Sequence, residues 1–356
     1  VHSQIELMLT RSKGDIGKKV HSGRSRNDQS LLDIKLFIRK ELQQIAAEME
    51  RVFAAFQRLS ERHKDAFLPG YTHLQLAMPS SFGLWFGAYA ESLCDDLELV
   101  IAAYNVANKN PLGSGAGYGS SFPLNRQLTT AALEFECMNY NVVYAQMTRG
   151  KTEKITAMAL STVAATLSKF AMDSCLYMNQ HFDFIALPDD LSTGSSIMPH
   201  KKNPDIFELI RGKCNRIQAL PNELTLLCSN LPSGYHRDMQ LTKECLFPAI
   251  IALHECLEMA LLVLEHIEIK PASAQDGKYQ PLFTVESVNK LVMQGTPFRD
   301  AYRMVANRVA DQSYRMDSKA IHTHEGSAGN LCNEAIKELF QRRLAQIVPA
   351  QSEVIG

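Results

Sequence analysis

Ile38, Leu42, Ile45, Met49, Val52, Phe56 and Leu59 recur at alternating spacings of four and three. Such a stripe runs down one side of a helix and must be covered along its whole length, so it predicts a long bundle or coiled-coil helix. The spacing returns in Phe82, Phe86, Tyr89, Leu93, Leu97, Val100 and Tyr104. It returns again in Ile206, Ile210, Cys214, Ile217 and Leu220, and in Leu246, Ile250, Leu253, Leu257, Ala260, Leu264 and Ile267. Residues 151–182 form a further long helix carrying Ala157, Ala159, Ala164 and Ala165. Small residues let helix axes approach closely, which places this helix in the middle of the bundle.

These patterns predict an all-α fold with a long central five-helix bundle and smaller helical end domains. The expected division is an N-terminal remnant over residues 1–26, the bundle domain over 27–270 and a small helical C-terminal domain over 271–356. Lys270-Pro271-Ala272-Ser273 reads as the linker, followed by helical segments at 284–294, 297–310 and 328–345. Leu68-Pro69-Gly70 ends the first long element, Pro79 opens the next helix, and Gly14-Asp15-Ile16-Gly17 reads as a turn. Pro248 is expected in the first turn of its helix or at a kink. The chain opens on Val1 in mid-pattern, which suggests that part of an N-terminal domain is missing.

A chain of 356 residues can bury a large core. Its 37 basic and 38 acidic residues nearly cancel, so no broad basic field for nucleic acid or an acidic membrane is expected. The eight cysteines form no C-x-x-C and mostly fall in apolar helical patterns, which reads as reduced core thiols of a cytoplasmic protein. No signal peptide is recognisable. Residues 70–90 lack formal charge but carry His73, Gln75 and Pro79, a poor membrane span. No cofactor is called for: Gly113, Gly115, Gly117 and Gly119 follow a helix and lack dinucleotide-site spacing. They read as a loop whose backbone closely approaches a ligand or another chain. His322 and His324 are too thin a set to argue for a metal.

Chemistry-bearing residues gather where the helical patterns break. Residues 192–205 bring Gly194, two hydroxyls on Ser195 and Ser196, and the charges of Lys201 and Lys202, and run into Asn203-Pro204-Asp205, which reads as a helix start. A basic, hydroxyl-rich loop leading into a helix N-terminus suits a carboxylate or phosphate. A plain polar interhelical loop has the same composition. The run 22–29 is either a solvated loop capping the next helix through Asn27 or Asp28, or a polar wall. In the second case Arg24 and Arg26 would meet carboxylates and Asn27 an amide-like group. Thr72 and His73 lie in a polar gap between two helices, and residues 235–243 form another polar cluster.

The run Gly194-Ser195-Ser196-Ile197-Met198-Pro199, with Lys201, Asn203 and Pro204, resembles the signature of the fumarase/aspartase superfamily. Four further stretches narrow the likeness: 22–29, 69–75, Arg237-Asp238-Met239-Gln240 with Lys243, and Gly295-Thr296-Pro297-Phe298-Arg299. Together they resemble the argininosuccinate lyase family, from the first residues to about 310. The chain departs from that pattern at Leu241 and Thr242, where the family usually carries acids, and at His200, often glutamine there.

The resemblance implies elimination of fumarate from argininosuccinate, leaving arginine. A proton leaves the succinyl carbon beside one carboxylate, an aci-carboxylate forms, and the C–N bond breaks. The obstacle is a weakly acidic C–H, so donors and cations must face the carboxylate that takes up charge. By resemblance Ser195 and His73 are the acid/base pair, without assignment of which takes and which gives the proton. Lys201, loop N–H groups and the following helix N-terminus would activate the serine. Glu208 would orient His73. Thr72, Lys201 and Asn203 would hold the succinyl carboxylates. Asn27, Tyr235, Gln240 and Lys243, with Ser25 and Arg26, would contact the rest of the substrate. The family assembles such clusters from different subunits of a homotetramer. The alternatives are another fumarate-releasing lyase, such as one for adenylosuccinate, or a crystallin-like structural protein.

Overall fold

The structure is a computed structural model that describes residues 2–316 and 322–348. Two short helices open the chain, α1 (His2–Lys13) and α2 (Asp15–Lys19). The turn expected at 14–17 is therefore mostly helix. Gly14 caps it at φ 61°, and a Cβ on Gly17 would lie 2.5 Å from the Leu9 backbone. This close crossing explains the second glycine.

The long helix α3 spans Arg26–Arg62. Its cap is Ser25, not Asn27 or Asp28 as the sequence suggested. The Ser25 hydroxyl accepts from Asn27 N, while Asp28 reaches back to Ser25 N and completes a capping box. Next comes an antiparallel ribbon that helical reasoning missed, β1 (Phe67–Thr72) and β2 (Gln75–Ser81). Pro79 sits in β2, and the following helix, α4 (Phe82–Ala107), starts at a Ser81 cap. An irregular glycine-rich segment and two short helices, α5 (Arg126–Ala132) and α6 (Val142–Met147), lead to α7 (Lys151–Tyr177). The bundle is completed by α8 (Asp205–Leu227) and α9 (Thr242–His266). Pro248 lies inside α9, beyond its first turn. The C-terminal helices are α10 (Thr284–Met293), α11 (Phe298–Ala310) and α12 (Asn333–Leu344).

The five long helices close a ring in which α3 touches α4, α4 touches α7, α7 touches α8, α8 touches α9 and α9 returns to α3. The small-residue helix α7 also meets α9 across the ring, the central place its alanines predicted. The residues of the first stripe are all buried, and the aromatic centre joins four helices. Phe56 meets Tyr89 at 5.6 Å and stands edge-on to Phe170 at 5.0 Å, and Phe170 meets Phe207 at 5.8 Å. Helix α12 folds back over α3 and α4, stacking Phe340 on Phe53 at 4.0 Å. Val288, Ala301, Val305 and Tyr314 form a separate small core around α10 and α11. By length and composition, Lys151–Tyr177 and the stretch Arg237–His266 could cross a membrane, but their buried apolar residues form the bundle interior.

Helix direction decides what meets what. The N-termini of α3, α7 and α9 share one end of the bundle with the C-termini of α4 and α8. The β1–β2 ribbon, the C-terminus of α7 and the N-terminus of α8 share the other. With 27 residues at about 1.5 Å each, α7 alone separates these ends by about 40 Å.

Candidate active site

At the ribbon end, β1 and β2 are joined by His73 and Leu74, with Thr72 paired to Gln75. Both linking residues have positive φ, 54° and 59°, as a tight two-residue hairpin requires. Leu74 is not a residue that adopts this region cheaply, and such strain is held where the surrounding structure imposes it. The result is that Thr72 and His73 project into solvent at the tip.

The 192–205 loop is at the same end and is a small hairpin. Thr193 pairs with Asn203 and Gly194 with Lys202, leaving 195–201 as its tip. Ser195 Oγ accepts from Ile197 N at 3.3 Å and Met198 N at 3.1 Å. Two N–H dipoles thus point at the hydroxyl oxygen, and they favour its anionic form over its neutral one. Lys201 has no hydrogen-bond or ion-pair partner for its ammonium among the described residues, while Lys202 is engaged by Asp189. Asn203 Nδ2 donates to Thr193 Oγ1 at 3.4 Å, and Thr193 donates to Asp205. The helix start differs from the expected one: α8 begins at Asp205, Pro204 holds the cap position without a side-chain cap, and Asn203 belongs to the hairpin. Glu208 faces Arg211 at 3.9 Å; no bond joins it to His73 among the described residues.

The opposite end gathers the other polar motifs. Asn27 and Arg26 lie in the first turn of α3 beside the Ser25 cap. Tyr235 OH accepts from Gln240 Nε2 at 2.9 Å, and Lys243 lies in the first turn of α9. A buried network holds this second motif. Arg149 pairs with Glu153 at 2.8 Å and donates to Met239 O at 2.9 Å. Thr242 donates to Met239 O at 2.8 Å and contacts Glu153 at 3.3 Å. Thr242 is thus a buried strut between Met239 and Glu153. Lys35, fully buried on α3, donates to Lys109 O at 3.0 Å and Asn139 Oδ1 at 2.8 Å, and burial pushes its ammonium down to about 8. A cavity of about 620 Å³ between Tyr104, Lys109, Cys137 and Ile347 is lined by none of the candidate catalytic or substrate-binding residues.

A lyase family model matches residues 2–219. The argininosuccinate lyase of Bacteroides fragilis is 56% identical over 344 residues, which cover 97% of this chain and 77% of that protein. That of Stenotrophomonas maltophilia is 40% identical, covering 96% and 79%. The chain belongs to the argininosuccinate lyase family. Solved structures agree on the fold of this lyase family at lower identity. An EDDS lyase in complex with formate superposes with a TM-score of 0.77 at 20% identity, covering 96% of this chain and 75% of that one. A 3-carboxy-cis,cis-muconate lactonizing enzyme from Pseudomonas putida gives 0.71 at 18%, covering 96% and 80%.

In this member of the argininosuccinate lyase family, one chain carries Thr72, His73, Ser195, Lys201, Asn203 and Glu208 at one end of the bundle. It carries Ser25, Arg26, Asn27, Tyr235, Gln240 and Lys243 at the other. Sequence reasoning did not single out Arg149, Glu153 and Gln146, and it read Asp28 only as a possible helix cap; these four residues organise the second end. Two signals were available. Arg149 and Glu153 stand four apart at a helix start, and Ser25 and Asp28 have capping-box spacing.

Proposed function

We propose that this chain cleaves argininosuccinate to arginine and fumarate by general acid/base β-elimination, the last step of arginine biosynthesis, in the cytoplasm. The observation that carries the mechanism is the pair of N–H groups aimed at Ser195 Oγ, in a hairpin tip that also carries Lys201, whose ammonium has no partner among the described residues. Ser195 and His73 form the acid/base pair. One removes the proton from the succinyl carbon, and the other delivers a proton to the guanidinium nitrogen as the C–N bond breaks. Lys201, Asn203 and Thr72 hold the carboxylates, so the charge that builds on the aci-carboxylate meets fixed donors. Glu208 serves as the orienting partner of His73 once substrate or a neighbouring subunit is in place. Asn27, Tyr235, Gln240 and Lys243, with Ser25 and Arg26, bind the remainder of the substrate.

The complete site belongs to a homotetramer. A substrate of this size cannot bridge a gap of about 40 Å, so the two ends must come from different copies lying side by side. Apolar side chains left exposed along the bundle support such packing: Met158 and Met172 on α7, Leu209 and Leu226 on α8, and Ile251 on α9. The deciding assay follows fumarate by ultraviolet absorbance with purified protein and argininosuccinate. Fumarate from adenylosuccinate but not argininosuccinate would move the protein to another branch of the superfamily. No turnover of either would favour a crystallin-like role.

A further inference from the structure

Asp28 is fully buried, and its hydrogen bonds come from backbone N–H groups. Oδ1 accepts from Ser25 N at 2.9 Å, and Oδ2 accepts from Gly113 N at 3.1 Å and Gly115 N at 3.0 Å. Gln146, buried on α6, holds the same run from the other side. Its Nε2 donates to Ser114 Oγ at 2.9 Å and Gly115 O at 3.3 Å. The run has little freedom of its own: Gly113 and Gly115 have φ of +83° and +60°, and a Cβ on Gly115 would meet Gly119 O at 3.0 Å. Gln146 is also tied to the next layer, since its carbonyl accepts from Arg149 N at 3.2 Å and Arg149 grips Met239 O. A continuous path of buried polar contacts therefore leads from the first turn of α3, with Asn27, to the segment with Tyr235 and Gln240.

We propose that Asp28 and Gln146 are positioning residues for substrate binding. Acting through the glycine run 113–115, they set the placement of the Asn27 wall relative to Tyr235, Gln240 and Lys243. This inference rests on the lyase reading above, in which those groups bind substrate while Ser195 and His73 carry the chemistry. Loosening the path lowers affinity more than it slows the bound substrate. Asp28→Asn cannot accept at both ends of its side chain, because its amide N–H groups oppose either Ser25 N–H or those of Gly113 and Gly115. Gln146→Met keeps length and apolar volume but removes the donor.

The test is steady-state fumarate release by purified wild type, Asp28→Asn, Gln146→Met and the double variant, with thermal unfolding of each. The expected result is a KM raised about tenfold or more in each single variant with kcat changed less than about threefold. The double variant should raise KM by less than the product of the single effects, since both act through one run. A role in folding alone predicts the reverse: a smaller active fraction, hence lower apparent kcat, with KM unmoved, and that result overturns the proposal. Multiplicative KM effects overturn the shared path. If Asp28→Asn does not fold, Gln146→Met and Gly115→Ala carry the same test. A wild type that makes no fumarate defeats the lyase reading itself, whereas an active wild type beside an unaltered Gln146→Met defeats only this inference.

Discussion

Arg149 Nε lies 2.8 Å from Glu153 Oε1, and both side chains are almost fully buried. The pair fastens the start of α7 to the Tyr235–Gln240 segment through Met239 and Thr242. Glu153→Gln would leave the guanidinium buried without a counter-charge, at a cost of about 3–5 kcal/mol. The urea unfolding midpoint measures this. Arg149→Met combined with Glu153→Met should cost less than Glu153→Gln alone, since no orphan charge remains.

Ser195→Ala removes the oxygen that the Ile197 and Met198 N–H groups address. Fumarate release should fall about 10²–10⁴-fold, the range for losing a positioned acid or base. Substrate affinity, followed by equilibrium titration, should change little. Near-normal turnover would remove Ser195 from the mechanism.

The two-ended arrangement makes a prediction that needs no structure of the assembly. Ser195→Ala and Asn27→Ala damage opposite ends of the bundle, so each inactive copy retains the end the other lacks. Unfolded together and refolded as mixed tetramers, they should regain activity that neither shows alone. Persistent inactivity of mixtures whose mixed composition is verified by mass spectrometry would argue that each chain builds its own site.

His254 on α9 lies between two acids of α3, with Nδ1 2.6 Å from Glu48 and Nε2 3.0 Å from Glu41. Both ring nitrogens face carboxylates, so the charged imidazolium suits the site. The Glu48 hydrogen bond is the main reason its pKa is raised, working against partial burial. A raised folded pKa makes this contribution complete below the unfolded value of about 6.5 and removes it as pH rises through the folded value. His254→Gln should lower stability by about 1–2 kcal/mol at pH 6, allowing for partial exposure, and by much less at pH 9. Denaturant midpoints of wild type and variant across that range check the sign; a gap independent of pH would contradict it.

Much of the bundle was legible because heptad spacing is local information. A stripe such as Ile38 to Leu59 has one buried solution, and glycine and proline breaks punctuate it. The ribbon was not legible in that way. Residues 67–81 have neither a clean alternation nor a favourable turn pair, and His73 and Leu74 take positive φ in the two-residue turn that the β1–β2 pairing closes at Thr72 and Gln75. The cap of α3 was misplaced by two or three residues, although the Ser25–Asp28 spacing marked it. Asp28 was read as a local cap, and only its long-range partners, Gly113 and Gly115, show the second duty.

The order of residues alone determined that long amphipathic helices must pack into a bundle and that reactive side chains collect at their breaks, since both follow from periodicity and from what cannot be buried. It also carried the motifs that identify the family. Tertiary structure decided which breaks share an end, because that depends on helix direction and on which helices become neighbours in the ring. Contacts between residues 85 to 90 positions apart, such as Asp28 with Gly113 or Arg149 with Met239, have no signature in local spacing. They arise only when the folded core brings their helix ends together.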